Sequence, residues 1–127
     1  MAIVGLGTDL VETVRFRRFL DAGKASLLAR LFTAEERRYA MQKKDPAPHL
    51  AARFAAKEAC AKAFGTGIRH GLRWLDMEVV TDAFGRPELR LTGRAAERAA
   101  ELGVARIHLS YSHDGGFAVA TVIMETS

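Results

Sequence analysis

The sequence predicts an α+β fold, a mostly antiparallel sheet with packed helices, and three observations carry that prediction. Apolar stretches suited to strands open and close the chain, at 3–11, 107–111 and 117–124. Ala-rich helical patterns fill the interval between them. Two glycine-containing turns join neighbouring strand patterns as hairpins do, and a hairpin makes antiparallel neighbours, whereas parallel strands need a crossover of about a dozen residues or more. At this length the whole chain, residues 1–127, is expected to be one domain.

The elements follow in order. Ile3 to Val11 is apolar, contains two glycines and brings in polar Asp9 and Glu12, which suits a short buried strand whose C-terminal end is functional or capped. Thr13 is placed to cap a helix from about Val14 to Asp21, closed by Gly23. Thr33-Ala34-Glu35-Glu36 has the form of a capping box and opens a short helix toward Met41. Lys43-Lys44-Asp45-Pro46-Ala47-Pro48 reads as a loop, because a proline disfavours helix at the residue before it. His49 to Phe64 is the strongest helical signal, ended by Gly65. Met77 to Thr81 and Glu88 to Leu91 alternate across the Gly85-Arg86-Pro87 turn. Gly93 to Leu102 is a second Ala-rich helix, closed by Gly103. Ile107 to Tyr111 and Phe117 to Met124 are strands flanking the turn Ser112-His113-Asp114-Gly115-Gly116.

Composition narrows the function classes. With 49% hydrophobic and 27% charged residues the chain can bury a core, so disordered and fibrous classes are excluded. No apolar run approaches the ~18 residues of a membrane span, and the first residues lack a signal-peptide pattern, so a cytoplasmic protein with no membrane partner is expected. A single cysteine, Cys60, makes no intrachain disulfide and no cysteine-based zinc site, and is expected to be a small buried residue. The formal charge is +4, yet residues 13–44 hold nine Lys or Arg against three acids. That asymmetry suits a polyanionic partner: nucleic acid, anionic membrane or an acidic protein. On charge alone, a solvated basic face with no partner fits equally well.

The long helix carries the candidate chemistry. At helical spacing Ala51, Ala55, Glu58 and Lys62 share one side, and Leu50, Phe54, Ala61 and Phe64 share another that suits the core. Taken alone, Glu58 and Lys62 are an i,i+4 surface pair worth ~0.3–0.5 kcal/mol. Asp9, at the end of an apolar strand, is costly to bury unless paired or bound to a metal. Asp9 plus Glu58 would make a hard-cation site, with Lys62 facing substrate phosphates and Arg53 and Lys57 nearby. Spacing does not show that Asp9 and Glu58 meet. The Ser, His and Asp residues around His113 lie too close in sequence to make a triad, and no Gly-x-Ser-x-Gly elbow exists. Gly5-x-Gly7 and Gly65-Thr66-Gly67 are incomplete nucleotide-binding motifs.

Four stretches together resemble one family: Gly7-Thr8-Asp9-Leu10-Val11-Glu12, Arg53-Phe54-Ala55-Ala56-Lys57-Glu58-Ala59, Lys62-Ala63-Phe64-Gly65-Thr66-Gly67 and Ser110-Tyr111-Ser112-His113. The family is the holo-(acyl-carrier-protein) synthases, the short 4′-phosphopantetheinyl transferases, and the likeness runs over nearly the whole chain. It implies a Mg²⁺-dependent transfer of the 4′-phosphopantetheine arm of coenzyme A to a serine of apo acyl carrier protein, releasing adenosine 3′,5′-bisphosphate and supporting fatty acid biosynthesis. By the same resemblance Asp9 and Glu58 are metal ligands and Lys62 neutralises the pyrophosphate. Arg53, Gly65, Thr66, Gly67, Arg86, Pro87 and His113 match positions that shape the coenzyme A pocket. The family fold is α+β, and its members typically form homotrimers with active sites between subunits. The basic segment then has an acidic partner in the carrier protein, with Arg15, Arg17 and Arg18 as docking residues. Mn²⁺ suits the same oxygen ligands as Mg²⁺, and the general base, a carboxylate or a metal-associated water, stays open. The turn Asp114-Gly115-Gly116 departs from the family's usual small polar residue, and Lys43 to His49 matches weakly.

Two other readings compete. A nucleic-acid-binding module through residues 13–44 would keep its binding without Asp9 and Glu58, and its aromatics there are few and spaced as helix core. A metal-dependent phosphohydrolase would have no use for a basic docking helix.

Overall fold

The computed structural model describes residues 1–127. In chain order the elements are β1 (Ile3–Glu12), α1 (Thr13–Asp21), α2 (Ala25–Leu31), α3 (Ala34–Met41), α4 (Pro46–Ala63), β2 (Met77–Thr81), β3 (Pro87–Leu91), α5 (Gly93–Glu101), β4 (Val104–Asp114) and β5 (Phe117–Thr126). One 3-10 turn, Trp74–Asp76, precedes β2. Every strand pair is antiparallel, as the hairpin turns predict. The strands form two sheets: β1-β5-β4 with β5 in the middle, and the ribbon β2-β3. The first strand pairs with the last, Asp9 opposite Ala120 and Ala120 opposite Tyr111, so β1 and β4 are the two edges of the larger sheet.

Helix α4 runs through the middle of the molecule. Thirteen of its 18 residues are buried, so it is enclosed on nearly all sides and has no broad solvent face. Ala51 and Ala55, on the side shared with Glu58 and Lys62, are fully buried and belong to the core with Leu50, Phe54, Ala61 and Phe64. The alanines let the sheet approach closely. A Cβ on Gly7 would lie 1.9 Å from the Ala59 carbonyl oxygen, and one on Gly5 2.3 Å from that of Ala63, so only glycine fits at either position. The Gly5-x-Gly7 spacing is therefore a packing device between β1 and α4.

A buried ion pair ties the helices to the ribbon. Lys57 Nζ donates to Glu36 Oε1 at 2.8 Å and to the Trp74 carbonyl at 2.9 Å, and neither side chain of the pair is exposed. Glu36 also accepts from Val79 N at 2.9 Å and from Thr33 N at 2.8 Å, completing the predicted capping box of α3. One carboxylate thus joins α3, α4 and β2, and its hydrogen bonds offset the cost of burying two charges.

Four boundaries differ from expectation. Thr13 is the first residue of α1 rather than its cap; it is buried and its N–H donates to the Gly116 carbonyl at 2.9 Å, pinning α1 to the β4–β5 turn. Pro46 and Pro48 open α4 instead of preceding it, because the first turn of a helix has no acceptor for the N–H that proline lacks. Helix α2 went unread because Lys24 supplies no side-chain cap; burial of Leu28 and Leu31 holds it. Strands β4 and β5 extend to a two-residue turn, Gly115 and Gly116 at φ +57° and +84°, the left-handed pair that a tight hairpin requires. No helix is long and apolar enough to cross a membrane.

Candidate active site

Asp9 lies on the side of β1 that carries buried Gly7 and Val11, facing α4. Across from it Lys62 Nζ donates to Asp9 Oδ1 and to the Thr8 carbonyl, each at 2.9 Å. Glu58, one turn before Lys62, is half-buried. Burial pushes its carboxyl above the usual carboxylate range, and the Asp9 charge pushes the same way, while Lys62 and Arg15 pull it down. The two carboxylates that spacing could not connect are neighbours. They could hold a hard cation: Mg²⁺ needs only one or two protein carboxylates, since it keeps waters and shares substrate phosphates. Arg15 is at the same place, its guanidinium 5.0 Å from the Phe54 ring centroid. Together with Arg18 it lines a cleft with Leu10, Glu12 and Val14. Arg17 points elsewhere, bonded to Asp45 at 2.7 Å. The Gly65-Thr66-Gly67 turn follows α4 directly, with Gly67 N donating to the Ala61 carbonyl at 3.1 Å and Arg98 Nη2 to that of Phe64 at 3.0 Å.

A second group sits on the β4 side of α4. Arg53 is 1% exposed, and its Nε and Nη1 have no partner. Its guanidinium packs 4.1 Å from the Tyr39 ring centroid and beside Tyr111, whose hydroxyl burial pushes up and Arg53 pulls back. A buried guanidinium with idle donors is costly in a protein at rest unless a further acceptor reaches it, and an anion is the strongest such acceptor. His113 on β4 is 5.5 Å, centroid to centroid, from His49 on α4. Arg86 and Pro87 adjoin β4 through a cleft of about 520 Å³ that Ala105, Ile107 and Leu109 help to line.

The predicted residues therefore fall into two sets: Asp9, Glu58, Lys62, Arg15 and the Gly65–Gly67 turn toward β1, and Arg53, His113, Arg86 and Pro87 toward β4. Sequence reasoning missed Tyr39, Lys43 and His49 of the second set. The signal for His49 was its place four residues before Arg53, on the same face of α4. Cys60 takes no part: it is buried and its thiol is pushed up to about 12, so no reactive thiolate forms at neutral pH.

Residues 5–122 match the family model described as the 4′-phosphopantetheinyl transferase superfamily. The chain is 59% identical over 121 residues, 95% of its length and 94% of the relative's, to the holo-(acyl-carrier-protein) synthase of Syntrophotalea carbinolica. Among solved structures it resembles the Neisseria meningitidis holo-(acyl-carrier-protein) synthase, with TM-score 0.87, 37% identity, and 98% of this chain and 100% of that one covered. It also resembles the Bacillus anthracis synthase solved in complex with CoA (3′,5′-ADP), with TM-score 0.81, 38% identity and 98% of each chain covered.

Proposed function

The chain belongs to the 4′-phosphopantetheinyl transferase superfamily as a holo-(acyl-carrier-protein) synthase, and we propose that Asp9, Glu58 and Lys62 carry out its reaction. The enzyme moves the 4′-phosphopantetheine arm of coenzyme A to a serine of apo acyl carrier protein and releases adenosine 3′,5′-bisphosphate. The observation that carries the residue assignment is the meeting of Lys62 with Asp9 at 2.9 Å, with Glu58 one helical turn away.

In the reaction the serine oxygen bonds to the phosphorus that bears pantetheine, and the bond from that phosphorus to the bridging oxygen breaks. Lys62, half-exposed at the mouth of the site, places its ammonium against the charge that builds on the leaving phosphate. Asp9 and Glu58 would hold Mg²⁺, or Mn²⁺ with the same preference for oxygen, and the bound ion would supply charge withdrawal from the pyrophosphate oxygens. Either carboxylate, directly or through a water, can take the serine proton. Arg15 and Arg18, exposed beside this site, are the docking residues for the acidic carrier protein; Arg17, tied to Asp45, contributes less.

Arg53, His113, Arg86 and Pro87 complete the coenzyme A pocket from a second chain. The two sets lie toward opposite edges of one sheet, so a head-to-tail contact that brings β1 of one chain near β4 of the next joins them; where the rotation between neighbours closes, that contact makes a ring, and we propose a homotrimer. The outer face of the sheet favours this assembly: Leu6 and Leu10 on β1 and Phe117 and Val119 on β5 are exposed, a density of apolar side chains that suits an interface.

Intact mass spectrometry tests the function. Apo acyl carrier protein incubated with coenzyme A, Mg²⁺ and the enzyme is expected to gain one phosphopantetheine, about 340 Da from its formula. Coenzyme A consumed without that gain would make the chain a hydrolase; no gain and no consumption would leave a binding module.

A further inference from the structure

The β4-side set holds more titratable charge than the pyrophosphate chemistry uses. His49 is half-buried, with its ring 6.2 Å from Tyr39 of α3 and 5.5 Å from His113 of β4. Lys43, just after α3, lies 4.6 Å from the same Tyr39 ring, and Arg53 of α4 covers it at 4.1 Å. Tyr111 of β4 flanks Arg53. The acid that acts on His49 is Asp45, and Asp45 is already held by Arg17 of α1. Asp114 and His113 line one cleft together with Arg17 and Thr13, so this acid, like Asp45, has Arg17 beside it. Burial, and then the charges of His113, Lys43 and Arg53, hold the His49 imidazole below its ordinary value, so it is neutral at neutral pH in the free protein.

A dianion reverses that field. Coenzyme A carries two anionic groups, and the function proposed above places its pyrophosphate at Asp9, Glu58 and Lys62. The remaining one is the 3′-phosphomonoester, and the idle donors of buried Arg53 are the place built for it. We propose that His49 takes up a proton as the phosphomonoester of coenzyme A docks against Arg53 and His113, so that capture of the coenzyme is proton-coupled and selects its 3′-phosphorylated form. The inference rests on that proposed function. Its sign is fixed: the bound state favours cationic His49, so affinity rises as pH falls, by at most about tenfold per pH unit for one proton. The gain ends near pH ~6, where the phosphomonoester itself takes up a proton.

Calorimetric titration of the full-length enzyme with coenzyme A and with 3′-dephospho-coenzyme A, in buffers of different ionisation enthalpy between about pH 6.5 and 8.5, reads the proton directly. Coenzyme A is expected to bind with proton uptake and dephospho-coenzyme A without it. In His49→Phe, which keeps a ring against Tyr39, the uptake is lost. The preference for coenzyme A at the low-pH end then drops about tenfold, and it converges with wild type at the high end. Uptake that persists in His49→Phe, or disappears only in His113→Asn, overturns the proposal, as does equal uptake with both ligands. If both ligands bind equally while carrier protein is still modified, this inference fails and the proposed function stands. If neither ligand binds to enzyme that melts normally, both fail.

Discussion

Glu58→Gln lowers kcat for phosphopantetheine transfer about a thousandfold, ~4 kcal/mol of transition-state stabilisation, because it removes one of the two carboxylates available to the metal. The loss does not come from unfolding. Burial and Asp9 raise the carboxyl's proton affinity, so ionised Glu58 destabilises the metal-free fold above its ordinary carboxylate range. Glu58→Gln is therefore expected to melt at or above the wild-type temperature at neutral pH. The pH profile supplies a second readout. Wild-type kcat/KM falls as Glu58 protonates, since a protonated carboxyl holds no cation, and added Mg²⁺ moves that acid limb to lower pH by competing with the proton. In Glu58→Gln the limb attributable to this group is absent. Asp9→Asn loses activity comparably and, in addition, releases Lys62 from its 2.9 Å bond. Steady-state rates and profiles with apo acyl carrier protein check both variants.

Lys57→Met lowers the unfolding free energy by about 3–5 kcal/mol, the range for stranding one partner of a buried ion pair. Glu36 would keep its bonds from Thr33 N and Val79 N but would stand as an uncompensated charge inside the core. Glu36→Gln combined with Lys57→Met is expected to regain much of the loss, because a neutral amide still accepts one backbone N–H and the methionine fills the volume. Urea unfolding at fixed protein concentration measures both, with concentration held constant because assembly shifts apparent stability. Equal stability of Lys57→Met and wild type would show that the pair has no structural role.

What the sequence displayed was local. The capping box at Thr33 and Glu36 was visible because four consecutive residues suffice to make it, and the hairpins because their turns hold glycine. Pairing of β1 with β5 left no local trace, since it joins the two ends of the chain. The Lys57–Glu36 bond spans 21 residues and the Lys62–Asp9 bond 53, so neither partner announces the other by spacing. Residue types showed that Asp9, Glu58 and Lys62 could form a phosphate-transfer site; the fold brought them together. Arg53 misleads a local reading most, because an arginine in a helix suggests the surface whereas this one is buried with unused donors. Gly5 and Gly7 made only an incomplete nucleotide motif, and the close approach of α4 explains them.

The central claim is that one chain carries two half-sites, toward opposite edges of the β1-β5-β4 sheet, which only a neighbouring chain completes. Subunit complementation tests it most directly. Glu58→Gln and Arg53→Ala are each expected to be nearly inactive alone, one lacking the metal-side set and the other the coenzyme-side set. Co-expressed at equal levels, they assemble mixed oligomers in which a chain with intact Glu58 faces a chain with intact Arg53. With random mixing about a quarter of the sites are whole, and activity is expected to return to about a quarter of wild type. Activity no greater than the sum of the two single variants would contradict the account and place both halves of the site in one chain.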